Sequence, residues 1–319
     1  MTMNTATLAR NFLSVLDFDP QDLERCLQLA AQMKSDRSLG RSAPTANTLD
    51  GRHVALLFDK PSLRTRTTFE IAIRELGGHV VSLQPDVALG RREPVGDVAR
   101  NLERWVDAVV IRTFSQQVLQ EFAQSAKRLH VVNALTDEEH PCQAIADFLT
   151  LQERLGPMRG RTIAYVGDGN NVAASLAHAG AMLGVHLHVA SPDGYQLPHT
   201  VVQQATHAAR FGARLRLFTD AADAVVGADA VYTDTWTSMG QEAEADVRRA
   251  TFAKYQVNDA LMAQARPGAL FMHCLPAHRG EEVTAEVFES AAAVVFDQAE
   301  NRLHGQKALL LMLLAPTAA

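Results

Sequence analysis

Apolar and polar residues alternate along this chain in short blocks that switch between two periodicities. Short apolar runs bounded by turn residues are typical of buried strands, and they occur at 53–58, 79–83, 108–113 and 131–134. Between these runs, apolar residues recur at the spacing of an amphipathic helix, over 62–76, 95–106, 116–128 and 142–155. This alternation predicts right-handed βαβ units and therefore a parallel sheet.

A second alternating series follows the break at Gly156–Gly160. Its predicted strands are 161–166, 185–190, 213–218, 229–233, 268–272 and 293–296, and its predicted helices include 171–183, 200–211 and a last long helix over 298–314. Before both series, Asp19-Pro20 predicts the start of a helix, and the polar stretch 35–47 predicts a loop. The fold class is therefore α/β, with two doubly wound parallel-sheet domains divided between residues 155 and 156.

One helix start combines several features of a phosphate site. Ser62 follows the first predicted strand and suits an N-cap position, so Arg64, Thr65 and Arg66 fall in the first helical turn. Unbonded backbone N–H groups and the positive end of the helix dipole lie at that turn. Guanidinium and hydroxyl groups added there predict binding of a phosphate. An ordinary capped helix with solvated arginines is the alternative that this segment leaves open.

Other polar residues follow predicted strands in the same way. Ligands of open parallel sheets bind beyond the carboxyl ends of the strands. The residues that follow strands within a few positions are Ser62, Arg112, His140, Asp168, Asp234 and Cys274. We therefore expect one active site in a cleft between the two sheets.

Three of these positions have chemistry of their own. His140 precedes Pro141, which favours a helix beginning at Pro141. A histidine there can donate to an oxyanion, and Gln143, within the first turn, can donate or accept through its amide. Asp234 suits a ligand ammonium group. A capping histidine and an incidental loop aspartate remain the alternatives for His140 and Asp234, and Cys274 alone would be a small buried hydrophobe.

The segment Gly167-Asp168-Gly169-Asn170-Asn171 lies between a predicted strand and a predicted helix, as a dinucleotide-binding turn does. The third glycine of that motif is replaced by Val172. No acidic residue follows the next strand closely, because Asp193 comes only after Ser191-Pro192. The pattern therefore argues against a dinucleotide cofactor.

Composition narrows the function classes. The chain has 319 residues, 47% of them hydrophobic, and a formal net charge of −6, which gives no basic field for nucleic acid. Its three cysteines are widely spaced, which argues against a disulfide framework and for a reducing compartment. No Cys/His spacing resembles a zinc site, no signal peptide is evident, and the apolar run 308–314 is too short to cross a bilayer. We expect a cytoplasmic protein without nucleic-acid or membrane partners.

Several segments, read in order, resemble the transcarbamoylase family. They are Ser62-Leu63-Arg64-Thr65-Arg66, His140-Pro141-Cys142-Gln143, Asn170-Asn171, Asp234-Thr235-Trp236-Thr237-Ser238-Met239-Gly240 and His273-Cys274-Leu275-Pro276. Arg302 also matches a late arginine of the family. The last two segments and the asparagine pair are similar to the ornithine branch in particular. The resemblance covers nearly the whole chain.

The resemblance implies transfer of the carbamoyl group of carbamoyl phosphate to the δ-amine of L-ornithine, giving L-citrulline and phosphate, without metal or organic cofactor. It implies catalytic roles for Arg112, His140, Cys274 and Thr65. It implies carbamoyl phosphate binding by Ser62, Leu63, Arg64, Thr65, Arg112, His140, Gln143, Cys274, Leu275 and Arg302. It implies ornithine binding by Asn171, Asp234, Ser238 and Met239.

The resemblance also implies an organisation. Residues 1–155 would bind carbamoyl phosphate, residues 156–297 would bind ornithine, and the last segment, 298–319, would pack back on the first domain. The family implies a homotrimer or a multiple of trimers, and a role in arginine biosynthesis or in the reverse, catabolic direction.

Two departures and two alternatives accompany this interpretation. Leu63 stands where the family commonly has threonine, and Ala88 stands where a glutamine often reaches a neighbouring subunit's site; Gln84 lies nearby. One alternative is a transcarbamoylase for another acceptor, such as N-acetylornithine, putrescine or aspartate. The paired Asp234 and Ser238, which suit a free amino acid, speak against acetylated or decarboxylated acceptors. The other alternative, a catalytically silent binding subunit, is disfavoured by the nearly complete motif set.

Overall fold

The structure is a computed structural model that describes residues 10–85, 89, 92–238 and 240–315. Two residues of the sequence analysis, Ala88 and Met239, lie outside the described residues. The described residues divide into two compact units. The first takes its residues from Met1–Phe18, Arg25–Cys142 and Arg302–Ala319, and the second from Asp19–Glu24 and Gln143–Asn301.

Each unit is built on one parallel sheet, as predicted. The first sheet contains β1 (His53–Phe58), β2 (His79–Leu83), β3 (Ala108–Arg112) and β4 (His130–Leu135), in the order β2-β1-β3-β4. The second contains β5 (Thr162–Val166), β6 (His186–Ala190), β7 (Leu215–Phe218), β8 (Ala230–Thr233) and β9 (Leu270–His273), in the order β7-β6-β5-β8-β9.

Helices connect the strands. In chain order they are α1 (Pro20–Ser35), α2 (Leu63–Glu75), α3 (Val95–Leu102), α4 (Gln116–Ser125), α5 (Pro141–Leu155), α6 (Asn171–Leu183), α7 (His199–Ala208), α8 (Ala221–Val225), α9 (Ala245–Phe252), α10 (Asp259–Met262), α11 (Ala285–Phe288) and α12 (Val295–Leu314). Short 3₁₀ turns occupy Val15–Asp17, Asp36–Ser42, Glu242–Glu244 and Ala253–Tyr255. None of the helices in the described ranges is long and apolar enough to cross a membrane.

The strand order places a topological switch point in each sheet. Strand β1 pairs with both β2 and β3, and β5 pairs with both β6 and β8. At such a point the connections leave in opposite directions and open a crevice beyond the carboxyl ends of the strands. The segments after β1, β3, β5 and β8 are therefore placed to carry function in their own units.

The strands at the switch points are buried on both faces, which explains their uninterrupted apolar sequences. Val54–Leu57 of β1 and all of β3 are buried, as are all residues of β5 and β8. Aromatic residues fill the second sheet, where the rings of Tyr165 and Tyr232 stack with centroids 5.7 Å apart. Helix α6 packs on this sheet with nearly every side chain buried, and its alanine-rich sequence suits that close packing.

One predicted strand is wrong. The apolar run 293–296 forms a single bridge between Ala293 and Phe271, and helix α12 already begins at Val295. Its last apolar residue, Phe296, is 67% exposed, which a buried strand does not allow. The residues after Phe296 form a long helix, and that helix includes the last two residues of the apolar run. The predicted loop at 35–47 also contains the 3₁₀ turn Asp36–Ser42.

The division into compact units follows packing rather than loop composition. It falls inside α5, after Cys142, and inside α12, after Asn301. Within the first unit, Lys307 of α12 pairs with Glu75 of α2 at 2.9 Å. The domain boundary expected at 155/156 stays a prediction.

Candidate active site

The helix start after β1 has the local geometry of an anion site. Ser62 caps α2, since its hydroxyl accepts from the Thr65 N–H at 3.2 Å. Leu63, the first helical residue, has a side chain 78% exposed, so its contribution to this turn is its backbone N–H. Arg64 lies in the same turn and is partly buried. N–H groups and a cation therefore lie together at the positive end of the helix dipole.

The structure separates the two arginines of this motif. Arg66 turns to the outer side of α2, where its Nε lies 3.2 Å from Glu70 Oε1 and its side chain is 49% exposed. Arg302 of α12 supplies a second guanidinium instead, because its Nη2 donates to the buried hydroxyl of Thr65. The first-turn cation pair expected from Arg64 and Arg66 is thus replaced by Arg64 and the distant Arg302.

Arg112 and His140 belong to neighbouring strand-to-helix connections of the first sheet, after β3 and β4. Arg112 is the last residue of β3 and is buried. His140 immediately precedes Pro141, the first residue of α5, as the sequence predicts. Burial, reinforced by the charges of Arg302 and Arg112, holds the pKa of His140 well below its ordinary value. The imidazole is therefore neutral near pH 7 and has one N–H to donate.

Lys60 is a site-adjacent residue that the sequence analysis missed. Its side chain is buried in the segment between β1 and α2, its Nζ lies 2.5 Å from Asp137 Oδ1, and it sits 4.0 Å from the Phe114 ring centroid. Asp137 lies three positions before His140. The pair therefore ties the segment carrying Ser62 to the segment carrying His140. A lysine two positions before an N-cap serine was the available signal.

In the second unit, a buried polar network surrounds the first turns of α5. Gln143 donates through Nε2 to Asp147 Oδ1 at 2.7 Å. Gln298 Nε2 donates to the same oxygen at 2.6 Å, and Tyr232 Oη donates to Asp147 Oδ2 at 3.3 Å. Asp147 and Gln298 were not identified from the sequence, because a helix-interior carboxylate one turn after Gln143 carries no motif of its own.

Asp234, directly after β8, is a buried carboxylate with a fixed orientation. Its Oδ2 accepts from Asn170 Nδ2 at 2.8 Å. Its Oδ1 accepts from the Thr235 N–H at 2.8 Å and from the Cys274 thiol at 2.9 Å. Asn170 also caps α6. The structure thus separates the two asparagines: Asn170 orients Asp234, and the partly buried Asn171 begins the helix.

Cys274 and Leu275 continue from β9 into a constrained turn. Leu275 has a φ of 63°, rare for a branched side chain, and a cis peptide bond to Pro276. Its N–H donates to His273 Nδ1 at 2.8 Å, and the other ring nitrogen faces Glu282 at 3.2 Å. The buried His273 therefore holds the backbone of Leu275 in this conformation.

The segment after Asp234 is anchored by Arg248. This arginine donates to the Trp236 carbonyl at 2.8 Å and to Asp168 Oδ2 at 2.8 Å. Burial raises the pKa of Asp168, although the Arg248 guanidinium opposes that effect. Ser238 is partly buried, and its N–H donates to Gln241 Oε1 at 3.1 Å. Arg248 thus links the turn after β5 to the segment that carries Ser238.

Two groups of side chains offer ligand atoms close enough for a metal ion within the described ranges. Asp234, His273 and Cys274 form one group, and His278, Glu281 and Glu282 form the other. In the first, the hydrogen bonds of His273 to Leu275 and Glu282 and that of Cys274 to Asp234 already engage the ligand atoms. These contacts fit a hydrogen-bonded carboxylate site better than a metal centre.

Comparisons with known proteins show which family the chain belongs to. The carbamoyl-P binding domain of aspartate/ornithine carbamoyltransferase matches residues 10–153, and its Asp/Orn binding domain matches residues 159–313. The ornithine carbamoyltransferase of Symbiobacterium thermophilum is 50% identical over 314 residues, covering 98% of this chain and 100% of that protein. That of Anoxybacillus flavithermus is 46% identical over 317 residues, covering 98% and 99%.

Solved structures give the same result. The ornithine carbamoyltransferase from Pyrococcus furiosus superposes with a TM-score of 0.92 at 44% identity, covering 97% of this chain and 98% of that one. An anabolic ornithine carbamoyltransferase from Campylobacter jejuni gives a TM-score of 0.88 at 36% identity, covering 95% and 98%. This chain therefore belongs to the aspartate/ornithine carbamoyltransferase family.

Proposed function

We propose that this protein is an ornithine carbamoyltransferase, which forms L-citrulline and phosphate from carbamoyl phosphate and L-ornithine. The observation that carries the choice of acceptor is the buried Asp234 carboxylate, oriented by Asn170, Thr235 and Cys274. A buried, oriented carboxylate suits an α-ammonium group by a charge-assisted hydrogen bond. Full-length similarity to proteins named for this activity supports the same conclusion.

Carbamoyl phosphate binding falls to residues with cationic, hydroxyl or backbone donors. Ser62, Leu63, Arg64 and Thr65 bind the phosphate at the start of α2, where free N–H groups and the dipole favour an anion. Arg112, His140 and Arg302 bind the carbamoyl oxygen or the phosphate. The remaining contacts to the carbamoyl group come from Gln143, Cys274 and Leu275.

Ornithine binding falls to the second unit. Asp234 takes the α-ammonium group, Ser238 and Met239 hold the α-carboxylate, and Asn171 contacts the amino-acid portion. Cys274, whose thiol lies 2.9 Å from Asp234, positions and polarises the attacking amine without forming a covalent intermediate.

The chemistry is nucleophilic attack of the neutral δ-amine on the carbamoyl carbon. As the carbonyl oxygen gains charge, Arg112, neutral His140 and Thr65 donate to it. The tetrahedral intermediate then expels phosphate, which Ser62, Arg64, Thr65 and Arg112 stabilise, and which can itself accept the amine proton. Orientation and electrostatic stabilisation by these side chains supply the rate, and the proposal requires no metal or organic cofactor.

A citrulline-formation assay with a panel of amines tests this function. Purified protein is given carbamoyl phosphate with ornithine, N-acetylornithine, putrescine or aspartate, and product is quantified. We expect ornithine to be preferred by orders of magnitude in kcat/KM. N-Acetylornithine lacks the ammonium partner of Asp234, aspartate must use its only amine as the nucleophile, and putrescine lacks the α-carboxylate. Comparable turnover of a rival acceptor would change the proposed substrate, and no product from any amine would favour a silent binding subunit.

The assembly and cellular role belong to the same proposal. We place the protein in arginine metabolism, in either direction, as a cytoplasmic homotrimer or multiple of trimers. In the proposed assembly, Leu63 and Trp105 of the first unit, which are 78% and 68% exposed in the single chain, are candidates for burial against other subunits. The three buried cysteines are free thiols, which suits a reducing compartment. Sedimentation of the purified protein tests the trimer.

A further inference from the structure

The contacts of Gln143 fix the orientation of its side-chain amide. The side chain is 1% exposed, and its Nε2 donates to Asp147 Oδ1 at 2.7 Å, one turn further along α5. Its Oε1 is equally buried and has no hydrogen-bond partner among the described residues. Because a buried acceptor without a donor is costly, this oxygen indicates a ligand group that donates to it.

A chain of hydrogen bonds that begins at the backbone supports this direction. The His273 N–H can only donate, and it donates to Gln298 Oε1 at 3.1 Å. The amide nitrogen of Gln298 must therefore lie on the opposite side, where it reaches Asp147 Oδ1 at 2.6 Å and Tyr232 Oη at 3.1 Å. The backbone N–H of His273 thus fixes the orientation of the Gln298 amide, which donates to Asp147.

Asp147 collects donors on both of its oxygens. Tyr232 Oη donates to Oδ2 at 3.3 Å, and the amides of Gln298 and Gln143 reach Oδ1. Oδ1 accepts from the Gln298 amide, whose orientation the backbone fixes, and as an acceptor it selects the NH₂ end of Gln143. The oxygen of Gln143 is then turned away from Asp147.

We infer that Asp147 is a positioning residue that turns Gln143 so that its oxygen accepts from the NH₂ of carbamoyl phosphate. This inference rests on the proposed function and adds a basis for substrate selection. The NH₂ group distinguishes carbamoyl phosphate from acetyl phosphate, which carries a methyl group in its place. A fixed acceptor recognises the first and leaves the second with an unsatisfied partner.

A purely structural role for Asp147 makes a different prediction. Loss of a buried carboxylate that only holds helices and strands together would disturb the site as a whole. Affinity for carbamoyl phosphate, acetyl phosphate and inorganic phosphate would then fall together. The positioning role instead lowers the ratio of the affinity for carbamoyl phosphate to the affinities for acetyl phosphate and inorganic phosphate.

The test compares wild type with Asp147→Leu, which has a similar shape and no acceptor, and with Asp147→Asn, which keeps one acceptor. Initial rates give the KM for carbamoyl phosphate and the competitive inhibition constants of acetyl phosphate and inorganic phosphate. For Asp147→Leu we expect the KM to rise about tenfold and both inhibition constants to stay within about twofold, the scale of one lost hydrogen bond. Asp147→Asn should fall between wild type and Asp147→Leu.

A matched control is Thr150→Val, which removes a buried hydroxyl on the same helix that bonds Ala146 and Asn301. It should lower thermal stability and leave the ratio unchanged. Gln143→Ala should lower the ratio as far as Asp147→Leu does, and the double variant should lower it no further, because both act through one contact. If Asp147→Leu does not fold, Asp147→Asn and Gln143→Ala carry the comparison.

Equal loss for all three phosphates, or an unchanged ratio in Asp147→Leu and Asp147→Asn, would overturn the inference. An additive double variant would also overturn it. The proposed function is judged separately, since it stands or falls on citrulline formation by the wild-type protein.

Discussion

At the scale of single residues, α2 shows how two arginines of one motif acquire different roles. Arg64 and Arg66 lie two positions apart in the first turns, so the helix directs them to different sides. Arg66 is 49% exposed and pairs with Glu70, whereas Arg64 is partly buried beside the capped helix start. A charge count of the motif therefore overestimates the cations that are available to a phosphate.

Replacing Arg64 with alanine tests this separation. We expect Arg64→Ala to weaken carbamoyl phosphate binding by about 2–4 kcal/mol, because a desolvated charge-assisted bond is lost. Calorimetric titration measures the change. Arg66→Ala removes the same charge from the same helix and should change affinity by less than about 0.5 kcal/mol, the scale of an exposed helical ion pair. Equal effects of the two substitutions would contradict the assignment.

Asp234 is the residue on which acceptor choice depends. Asp234→Asn keeps the shape of the side chain and removes its charge, so the α-ammonium group loses its partner. We expect kcat/KM for ornithine to fall by about 100-fold or more, and the preference over N-acetylornithine to shrink. Steady-state kinetics with both amines measure this.

The matched control for that substitution is Asp246→Asn. The Asp246 side chain is 96% exposed and forms a surface ion pair with Arg249. Its kinetics should equal those of wild type. Unaltered ornithine kinetics in Asp234→Asn would remove Asp234 from the acceptor site.

At the scale of elements, the turn between β5 and α6 depends on Gly169. A Cβ there would lie 2.4 Å from the backbone nitrogen of Leu197, closer than atoms can approach. The next residue, Asn170, caps α6 and orients Asp234. A change in the turn is thus transmitted to the acceptor site through the helix cap.

We expect Gly169→Ala to destabilise the protein by about 1–3 kcal/mol, the usual cost of overpacking, and to raise the KM for ornithine. Thermal or urea unfolding and initial rates measure the two effects. Gly180→Ala, inside α6, is the control: its Cβ would meet its nearest neighbour at an ordinary 3.5 Å. Helix propensity favours alanine there by up to about 1 kcal/mol. A stable Gly169→Ala enzyme with normal ornithine KM would contradict the argument.

The elements that periodicity predicts correctly are those whose burial is continuous. Strands β1, β3, β5 and β8 are buried on both faces, so their apolar runs are long and distinct. The run 293–296 has the same composition, yet it meets one strand residue and then enters α12. A short apolar run does not reveal whether its neighbours will pair with it or coil.

The site residues divide in a similar way. Ser62, Arg112, His140, Asp234 and Cys274 follow strands, so topology alone places them at the carboxyl edges of their own sheets. Asp147, Gln298, Arg248 and Lys60 act through side chains that lie far apart in sequence. Their partners depend on packing, which no local pattern encodes.

At the scale of the whole molecule, two buried histidines of the first unit make stability depend on pH. Burial lowers the pKa of His304 to about 4, with help from the charges of Lys34, Lys307 and Arg37 and against that of Glu75. His140 is shifted in the same direction by burial, Arg302 and Arg112. The folded protein therefore favours the neutral form of both imidazoles.

The sign of the effect follows from proton binding. Above pH 6.5 neither the folded nor the unfolded chain protonates these histidines, so stability does not depend on them. As pH falls from 6.5 towards 4, the unfolded chain takes up protons that the folded chain refuses, and the free energy of unfolding falls. The lowered pKa of His304 corresponds to a loss of about 3 kcal/mol in the free energy of unfolding once both states are protonated.

His304→Leu should therefore flatten the acid side of the stability profile. Urea unfolding of wild type and variant is measured at intervals from pH 8 to about 4, the lower limit being the pKa of His304. The variant should lose less stability than wild type, the gap growing below pH 6.5 because only wild type carries this unfavourable proton. His207→Leu, at an exposed helix end, is the matched control and should follow the wild-type profile. Parallel plots of unfolding free energy against pH for wild type and His304→Leu would show that the lowered pKa of His304 does not cause the loss of stability in acid.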